Sequence, residues 1–80
     1  MTTVDARGLA CPLPLTLARR KMRELARGDV LVVLATDPEA PIDLAAWAAD
    51  EGHAFTERDA GGWAELTLTN GARGGSPAEQ

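Results

Sequence analysis

The sequence holds very few residues that could cross-link a fold or bind a metal. Its 80 residues include one cysteine, Cys11, and one histidine, His53. A single cysteine forms no internal disulfide, and the two residues together are too few for a zinc site built from thiolates and imidazoles. A dithiol redox cycle also needs a second cysteine within the chain. We therefore exclude disulfide scaffolds, structural zinc and thioredoxin-like chemistry.

Long apolar runs are absent as well. No stretch reaches the roughly 18 apolar residues of a membrane-spanning helix, and the first residues, MTTVDARG, lack the apolar core of a signal peptide. We expect a cytoplasmic protein whose thiol stays reduced and which has no membrane partner.

Charge of one sign is sparse in each half of the chain. Residues 1–27 carry six basic and two acidic side chains and residues 28–80 carry two basic and ten acidic ones, so the halves, at +4 and −8, sum to the net charge of −4. Nucleic-acid binding needs a broad basic surface, and we expect no direct nucleic-acid partner. The basic segment is either a solvated helix face or a docking face for an acidic protein surface.

The hydrophobic pattern predicts one small domain of the α/β class with the element order βαβαββ. A strand-helix-strand unit pairs its strands in parallel and a hairpin adds antiparallel neighbours. We therefore expect a two-layer sandwich, a mixed four-stranded sheet with both helices on one face. The domain spans residues 1–69, and residues 70–80, which have no apolar period, are predicted to form a disordered tail. The predicted strands are 2–6, 30–35, 53–59 and 63–69, and the predicted helices run over about 12–27 and from Pro38 or Pro41 to Glu51.

Apolar spacing predicts which helix faces meet the sheet. Asp37 is the expected N-cap of the second helix, and Gly52 is its expected end. The strand at 30–35 is apolar throughout, which is typical of a central strand buried on both faces or nearly so. The predicted inner residues are Leu15, Ala18, Met22 and Leu25 in the first helix and Ile42, Leu44, Trp47 and Ala48 in the second.

The segment GLACPLPL, residues 8–15, places the only thiol between a strand and a helix. Pro12 suits the first helical position because it has no N–H to leave unpaired, and it favours an extended, N-cap-like conformation for Cys11. The helix dipole and the free amides of Leu13 and Leu15 would then lower the thiol pKa from about 8.5 towards neutrality. We predict an exposed, reactive thiolate; the alternative is a small buried core residue.

A lone thiolate supports a narrow range of chemistry. A Cys-His hydrolase needs an oriented base, and His53, the only candidate, is expected to be structural or solvent-facing instead. What remains is attack on an external sulfur atom, storage of that sulfur as a persulfide, and transfer to another nucleophile. One cysteine suffices for this sequence of steps.

In these residues the sequence resembles the TusA/SirA family of small sulfur-carrier proteins. The resemblance implies a βαβαββ sandwich in which Cys11 receives sulfane sulfur from a donor protein, a cysteine desulfurase or a rhodanese, and hands it to an acceptor protein. Family members feed tRNA thiolation, molybdenum-cofactor chemistry or sulfur oxidation, and no cofactor is implied. The matching segments are DARGLACPLP at 5–14, ATDP at 35–38, IDLAAW at 42–47 and GH at 52–53.

One residue departs from the family member best known for tRNA thiolation. The position between the two prolines is acidic there, and it is Leu13 here. An apolar side chain makes the surroundings of the thiol less negative, which keeps the carrier role and does not favour the tRNA pathway.

We expect a stoichiometric carrier rather than a turnover enzyme, and a monomer that forms transient complexes. An alternative from another class is a protein-interaction module that uses the apolar rim from Leu9 to Leu13 and does not need the thiol. A third is a thiol-dependent reductase or isomerase whose resolving cysteine comes from a partner. The expected site has Cys11 as nucleophile, Pro12, Leu13, Pro14 and Leu15 as the supporting helix start, Gly8, Leu9, Arg19, Arg20 and Arg23 as docking residues, Asp37 and Pro38 as a structural cap, and no metal.

Overall fold

The computed structural model describes residues 1–71 and has the predicted element order. The elements are β1 (Thr2–Ala6), α1 (Leu13–Met22), β2 (Val30–Ala35), α2 (Ala40–Glu51), β3 (Ala54–Asp59) and β4 (Ala64–Thr69). The strands form one sheet in the order β1-β2-β4-β3, in which β1 and β2 are parallel and the other neighbours are antiparallel. Both helices share one core with the sheet. The predicted α/β class and mixed four-stranded sheet are confirmed.

The parallel pair of β1 and β2 decides where the cysteine lies. Ala6, the last residue of β1, is paired with Ala35, the last residue of β2. The segments that follow, residues 7–12 and 36–39, therefore meet at one edge of the sheet, and each leads into a helix that begins there. We call this edge, with the first turn of α2, the thiol edge.

The core lies between the sheet and the two helices. Burial alternates along β2, where Leu31, Val33 and Ala35 are buried and Val32 and Leu34 are half-buried. The prediction of a strand buried on both faces or nearly so therefore holds in full for one face, while the other face is half-buried. The reason is that, among residues 1–71, both helices pack on the same side of the sheet.

The helices bury most of the residues that the spacing predicted. Leu44 and Ala48 of α2 are fully buried, and Trp47 is half-buried against them. The exception is Ile42, which is 63% exposed. Two residues along a helix turn the side chain by about 200°, so Ile42 and Leu44 lie on opposite faces of α2.

Helix α1 is shorter than its predicted range of 12–27. It begins at Leu13 and ends at Met22. Beyond it, the amides of Glu24 and Leu25 donate to carbonyls three residues back, at 3.0 and 3.1 Å. These tighter turns end the α-helix early. None of the helices within residues 1–71 is long and apolar enough to cross a membrane.

Helix α2 ends where predicted. Gly52 follows it with φ 77, a left-handed conformation that favours glycine, and its amide donates to the carbonyl of Ala48. At the other end, Pro41 is the second helical residue and Pro38 lies before the helix. The strands β3 and β4 each begin one residue later than predicted.

At the opposite edge of the sheet, where β2 begins and β4 ends, Asn70 bonds to the segment between α1 and β2. Asn70 donates its amide to the carbonyl of Asp29 at 2.9 Å and accepts the amide of Gly28 at 2.8 Å. Its side chain donates to the carbonyl of Leu25 at 2.9 Å. We call this the closing edge. The predicted tail starts at residue 70, whereas Asn70 makes these bonds; residues 72–80 lie outside the described residues.

Candidate functional site

Cys11 lies on the surface of the thiol edge, in the segment between β1 and α1. Its thiol is free and exposed, as predicted, which excludes the alternative of a buried core cysteine. The amide of Leu9 donates to the carbonyl of Ala6 at 3.2 Å, and the amide of Leu13 donates to that of Ala10 at 2.9 Å. The Leu13 amide is therefore already bonded and is not one of the free amides predicted to face the sulfur.

Asp37 joins the two segments of the thiol edge. One carboxylate oxygen accepts the amide of Cys11 at 2.7 Å, and the other accepts the amide of Glu39 at 2.8 Å. These bonds, that from Glu39 first, lower the pKa of Asp37, so its carboxylate is ionised at neutral pH. Asp37 is not the N-cap of α2 as predicted, because a turn closed by the Ala40 amide on the Asp37 carbonyl comes first and Glu39 occupies the cap position.

A second bond across the same edge involves Gly8 and Thr36. The amide of Gly8 donates to the hydroxyl oxygen of Thr36 at 2.8 Å. Gly8 has φ 83, which favours glycine because a Cβ would be strained there. Gly8, Leu9 and Pro38 line a shallow cleft of about 290 Å³ beside this contact.

Asp43 is the residue that contacts the reactive atom. The thiol of Cys11 donates to Oδ2 of Asp43 across an Sγ–Oδ2 distance of 2.8 Å. Asp43 lies in the first turn of α2. It lies in the segment IDLAAW, which resembles the family, but it was not among the predicted site residues because that segment alone does not place its carboxylate beside Cys11. The parallel pairing of β1 with β2, which places the start of α2 beside the cysteine segment, is the signal that could have found it.

The acidic surroundings raise the pKa of the Cys11 thiol to about 11. The largest cause is the hydrogen bond to Asp43, followed by partial desolvation and by the charges of Asp43, Asp37 and Glu39. A helix N-terminus at an exposed site contributes at most about 1 kcal/mol, or less than one pH unit, in the opposite direction. The thiol is therefore protonated at neutral pH, and the prediction of a thiolate with a lowered pKa is wrong.

The predicted helix-start residues have different surroundings. Pro12 precedes the helix as its N-cap and forms a cis peptide bond with Cys11. Leu13, two residues after Cys11, is 48% exposed, whereas Pro14 is fully buried in the core. Leu15 is half-buried. Of these residues, Leu13 is therefore the one that presents a large apolar surface next to Cys11.

The predicted basic docking residues lie on the exposed face of α1. Arg19, Arg20 and Arg23 line one surface hollow together with Thr16. None of the three arginines forms a salt bridge within the part of the chain that the structure describes. This is compatible with both alternatives that the sequence left open, a docking face for an acidic protein surface and a solvated helix face.

His53 belongs to the closing edge and makes no contact with Cys11. It is buried, its Nδ1 accepts the amide of Gly71 at 2.9 Å, and its ring meets that of Trp47 edge to face at 5.1 Å. Burial lowers the pKa of His53. These contacts agree with the predicted structural role and leave Cys11 without a histidine base.

The described residues contain no group of three or more histidine, cysteine or acidic side chains that could hold a metal ion. The site is therefore a protonated thiol, one carboxylate bonded to its proton, a second carboxylate that positions its backbone, and an exposed apolar neighbour. Because the thiolate and not the thiol is the nucleophile, Cys11 must lose its proton before it can react.

Several known proteins are similar to this chain in sequence. A family model described as Sulfurtransferase TusA matches residues 2–70. The Bacillus subtilis proteins YrkF and YrkI, whose names designate them as candidate sulfur carriers, are 42% identical over 59 residues and 46% identical over 55 residues. The sulfur carrier protein TusA of Pseudomonas entomophila is 45% identical over 51 residues.

The coverage of these matches differs. The chain spans 32% of the length of YrkF, 73% of YrkI and 64% of the Pseudomonas entomophila protein, and the matches cover 74%, 69% and 64% of this chain. Among solved structures, a SirA-like protein from Desulfitobacterium hafniense has a TM-score of 0.81 at 30% identity and covers 89% of this chain and 99% of its own.

Proposed function

The chain belongs to the TusA family, and on that premise we propose that Cys11 accepts a sulfane sulfur atom as a persulfide and passes it to an acceptor protein. The observation that carries the proposal is a single free thiol, exposed at the edge where two strands end and two helices begin. The sulfur-carrier names of its relatives support the same role.

The loading step balances without an external oxidant. The Cys11 sulfur attacks the outer sulfur of a donor persulfide, R–S–SH, and an Sγ–S bond forms. The S–S bond of the donor breaks, and its electron pair leaves on the donor's cysteine sulfur, which takes up a proton. The products are Cys11–S–SH and R–SH, so the sulfane sulfur is transferred with no net oxidation.

We propose a cysteine desulfurase or a rhodanese as the donor and a downstream thiolating or sulfur-processing protein as the acceptor. No cofactor is needed for these steps, and the chain acts as a stoichiometric carrier. The cytoplasm, where a lone thiol stays reduced, is the expected compartment.

Docking of these partners is supported by two surfaces of this chain. The first surface is apolar. Leu13, two residues after Cys11 in the sequence, is 48% exposed, and Ile42, directly before Asp43, is 63% exposed. The basic face of α1 offers Arg19, Arg20 and Arg23 to an acidic partner. A partner that covers the apolar pair would also exclude water from the reacting sulfur atoms.

The test is loading followed by intact mass. The reduced chain is incubated with cysteine desulfurase plus cysteine, with rhodanese plus thiosulfate, or with glutathione persulfide, beside the Cys11→Ser variant. We expect the wild type to gain the mass of sulfur, to lose it on adding dithiothreitol, and the variant to gain none. If none of the three donors adds the mass of sulfur to the wild type, the proposal is wrong.

The exposed apolar pair also favours a second candidate, a protein-interaction module on the same fold. In that case Leu13 and Ile42 would bind a partner and the thiol would be dispensable. The two functions separate in one comparison: Cys11→Ser keeps partner binding and any cellular phenotype intact if the chain is a module, and loses the phenotype if it is a carrier.

A further inference from the structure

The bond between Cys11 and Asp43 is not what a ready nucleophile needs. The nucleophile in sulfur exchange is the thiolate, yet the structure places a carboxylate oxygen 2.8 Å from the sulfur, where it accepts the thiol proton. Within residues 1–71, the carboxylate of Asp43 has no other hydrogen bond and no salt bridge. In this part of the chain, the thiol of Cys11 is therefore its single partner.

The other charged groups near the thiol come from three elements. The segment before α2 supplies Asp37 and Glu39, and α2 supplies Asp43. From α1, Arg19 lines the same groove as Asp43, about 400 Å³ in volume, but makes no ion pair with it. Asp37 is held by two amides of its own chain, so Asp43 is the carboxylate whose pairing can change while the segment keeps its shape.

We infer that Asp43 keeps the empty carrier's Cys11 protonated and unreactive, and that a partner protein activates the thiol by pairing a lysine or arginine side chain with the Asp43 carboxylate. The inference deepens the proposed function, on which it rests for the sulfur that is transferred. Its partner chemistry follows from the site. The half-buried carboxylate of Asp43 lines an open groove together with Asp50 and Glu51, and no cation pairs with it among residues 1–71. A cation from another molecule is the group that would neutralise it.

The activation step has a simple balance. A cation pairs with the Asp43 carboxylate, the S–H···O bond breaks, and the thiol proton leaves to water. The thiolate of Cys11 then attacks the outer sulfur of the donor persulfide, as described for loading. The electron pair from the broken S–S bond leaves on the donor's cysteine sulfur, which regains a proton from water, so no proton or electron is gained overall.

This arrangement gives the carrier selectivity between partners and small molecules. A small electrophile or oxidant brings no cation to Asp43, so Cys11 stays a protonated thiol and reacts slowly with it. A docked donor brings the cation and the sulfur atom together. The acidic groups that raise the pKa of Cys11 to about 11 would thus prevent reaction outside the complex.

The first test needs no sulfur donor. The alkylation rate of Cys11 by iodoacetamide is measured from pH 6 to 11 for wild type, Asp43→Asn and a matched control, Asp50→Asn. Asp50 lies on the same helix and lines the same groove, so its variant removes the same charge away from the sulfur. Asp43→Glu restores the carboxylate, and Asp43→Ser is a second neutral variant if Asn disturbs folding by circular dichroism.

We expect Asp43→Asn to alkylate about tenfold faster than wild type at pH 7.5, because the larger thiolate fraction outweighs the lower nucleophilicity of a more acidic thiol. Its profile shifts to lower pH, while Asp50→Asn follows the wild type and Asp43→Glu returns towards it. Equal rates and equal profiles for wild type and both neutral Asp43 variants would overturn the inference.

The second test uses charged reagents in place of the partner. A methanethiosulfonate with a trimethylammonium group and one with a sulfonate group are compared on each protein at low salt. We expect the wild type to prefer the cationic reagent and Asp43→Asn to reduce that preference roughly fivefold. An unchanged preference would refute the cationic partner. Loading from the donor proteins, cysteine desulfurase plus cysteine and rhodanese plus thiosulfate, is measured in the same samples and separates the two proposals. If neither donor protein loads wild type or Asp43→Asn while both tests succeed, the carrier function fails and the role of Asp43 stands.

Discussion

Polar side chains form hydrogen bonds at both the thiol edge and the closing edge of the sheet, but they act on different groups. At the thiol edge, the side chains of Asp37 and Asp43 accept hydrogen bonds from the amide and the thiol of an exposed cysteine. At the closing edge, neutral groups of Asn70 and His53 satisfy backbone atoms where the helices end. The first arrangement controls the protonation of a reacting group, and the second stabilises the fold. The difference teaches that stability and reactivity can be changed separately in this chain.

The largest expected effect on stability comes from Asn70→Ala at the closing edge. The variant leaves the carbonyl of Leu25 without the side-chain donor at 2.9 Å. We expect the free energy of unfolding, measured by urea unfolding, to fall by about 1–2 kcal/mol. The alkylation rate of Cys11 should stay that of the wild type. Asn70→Asp, which presents an acceptor to that carbonyl, should lose at least as much. A change in Cys11 reactivity in either variant would break the separation of the two edges.

A smaller effect, and one on both properties, is expected for Asp37→Asn at the thiol edge. The amide side chain keeps one acceptor oxygen and loses the other, so one of the two backbone amides that Asp37 accepts is left unpaired. We expect a loss of about 1 kcal/mol in unfolding free energy. The thiol pKa falls as well, since the charge of Asp37 helps to raise it. Alkylation at pH 7.5 should rise less than in Asp43→Asn; a larger rise would mean that Asp37, not Asp43, controls the thiol.

The smallest effect is a pH dependence from His53. Burial lowers the pKa of His53 below its ordinary value of 6.5, whereas in the unfolded chain that value returns. As the pH falls below 6.5, the unfolded chain binds a proton that the folded chain binds less readily, so the unfolding free energy decreases towards pH 5. His53→Gln, compared with wild type by urea unfolding at pH 7 and pH 5, should reduce this decrease. An equal decrease in both proteins would assign the pH dependence to other groups.

Much of the fold could be predicted because it follows from local patterns. The apolar run at 30–35 marked a central strand, and the alternation after residue 62 marked the last strand of the hairpin. The helix ends were less predictable: α1 stops at Met22 because of hydrogen bonds that tighten its last turns, which apolar spacing does not reveal. Ile42 was misplaced because its position fits an apolar set but not the face that carries Leu44.

At the candidate site, the sequence identified the reacting atom but not its chemical state. Cys11 and its exposure followed from the proline pattern and from the start of α1. The protonation of the thiol depends on Asp43, which is 32 residues away along the chain. Long-range contacts of this kind require the register of β1 on β2, in which Ala6 is opposite Ala35. A prediction limited to the amides and charges of α1 therefore gave the wrong direction for the pKa.

The central claim, that Cys11 both takes up and gives away a sulfur atom, is tested most directly by isotope transfer. The chain is loaded with sulfur-34 from labelled donor, freed of the donor and of small molecules, and treated with cyanide, and the labelled thiocyanate is counted against the label lost from the intact mass. We expect one labelled thiocyanate per loaded chain, a return to the unloaded mass, and none from Cys11→Ser. Label that stays on the wild type after cyanide, or that is released equally from Cys11→Ser, would contradict the account.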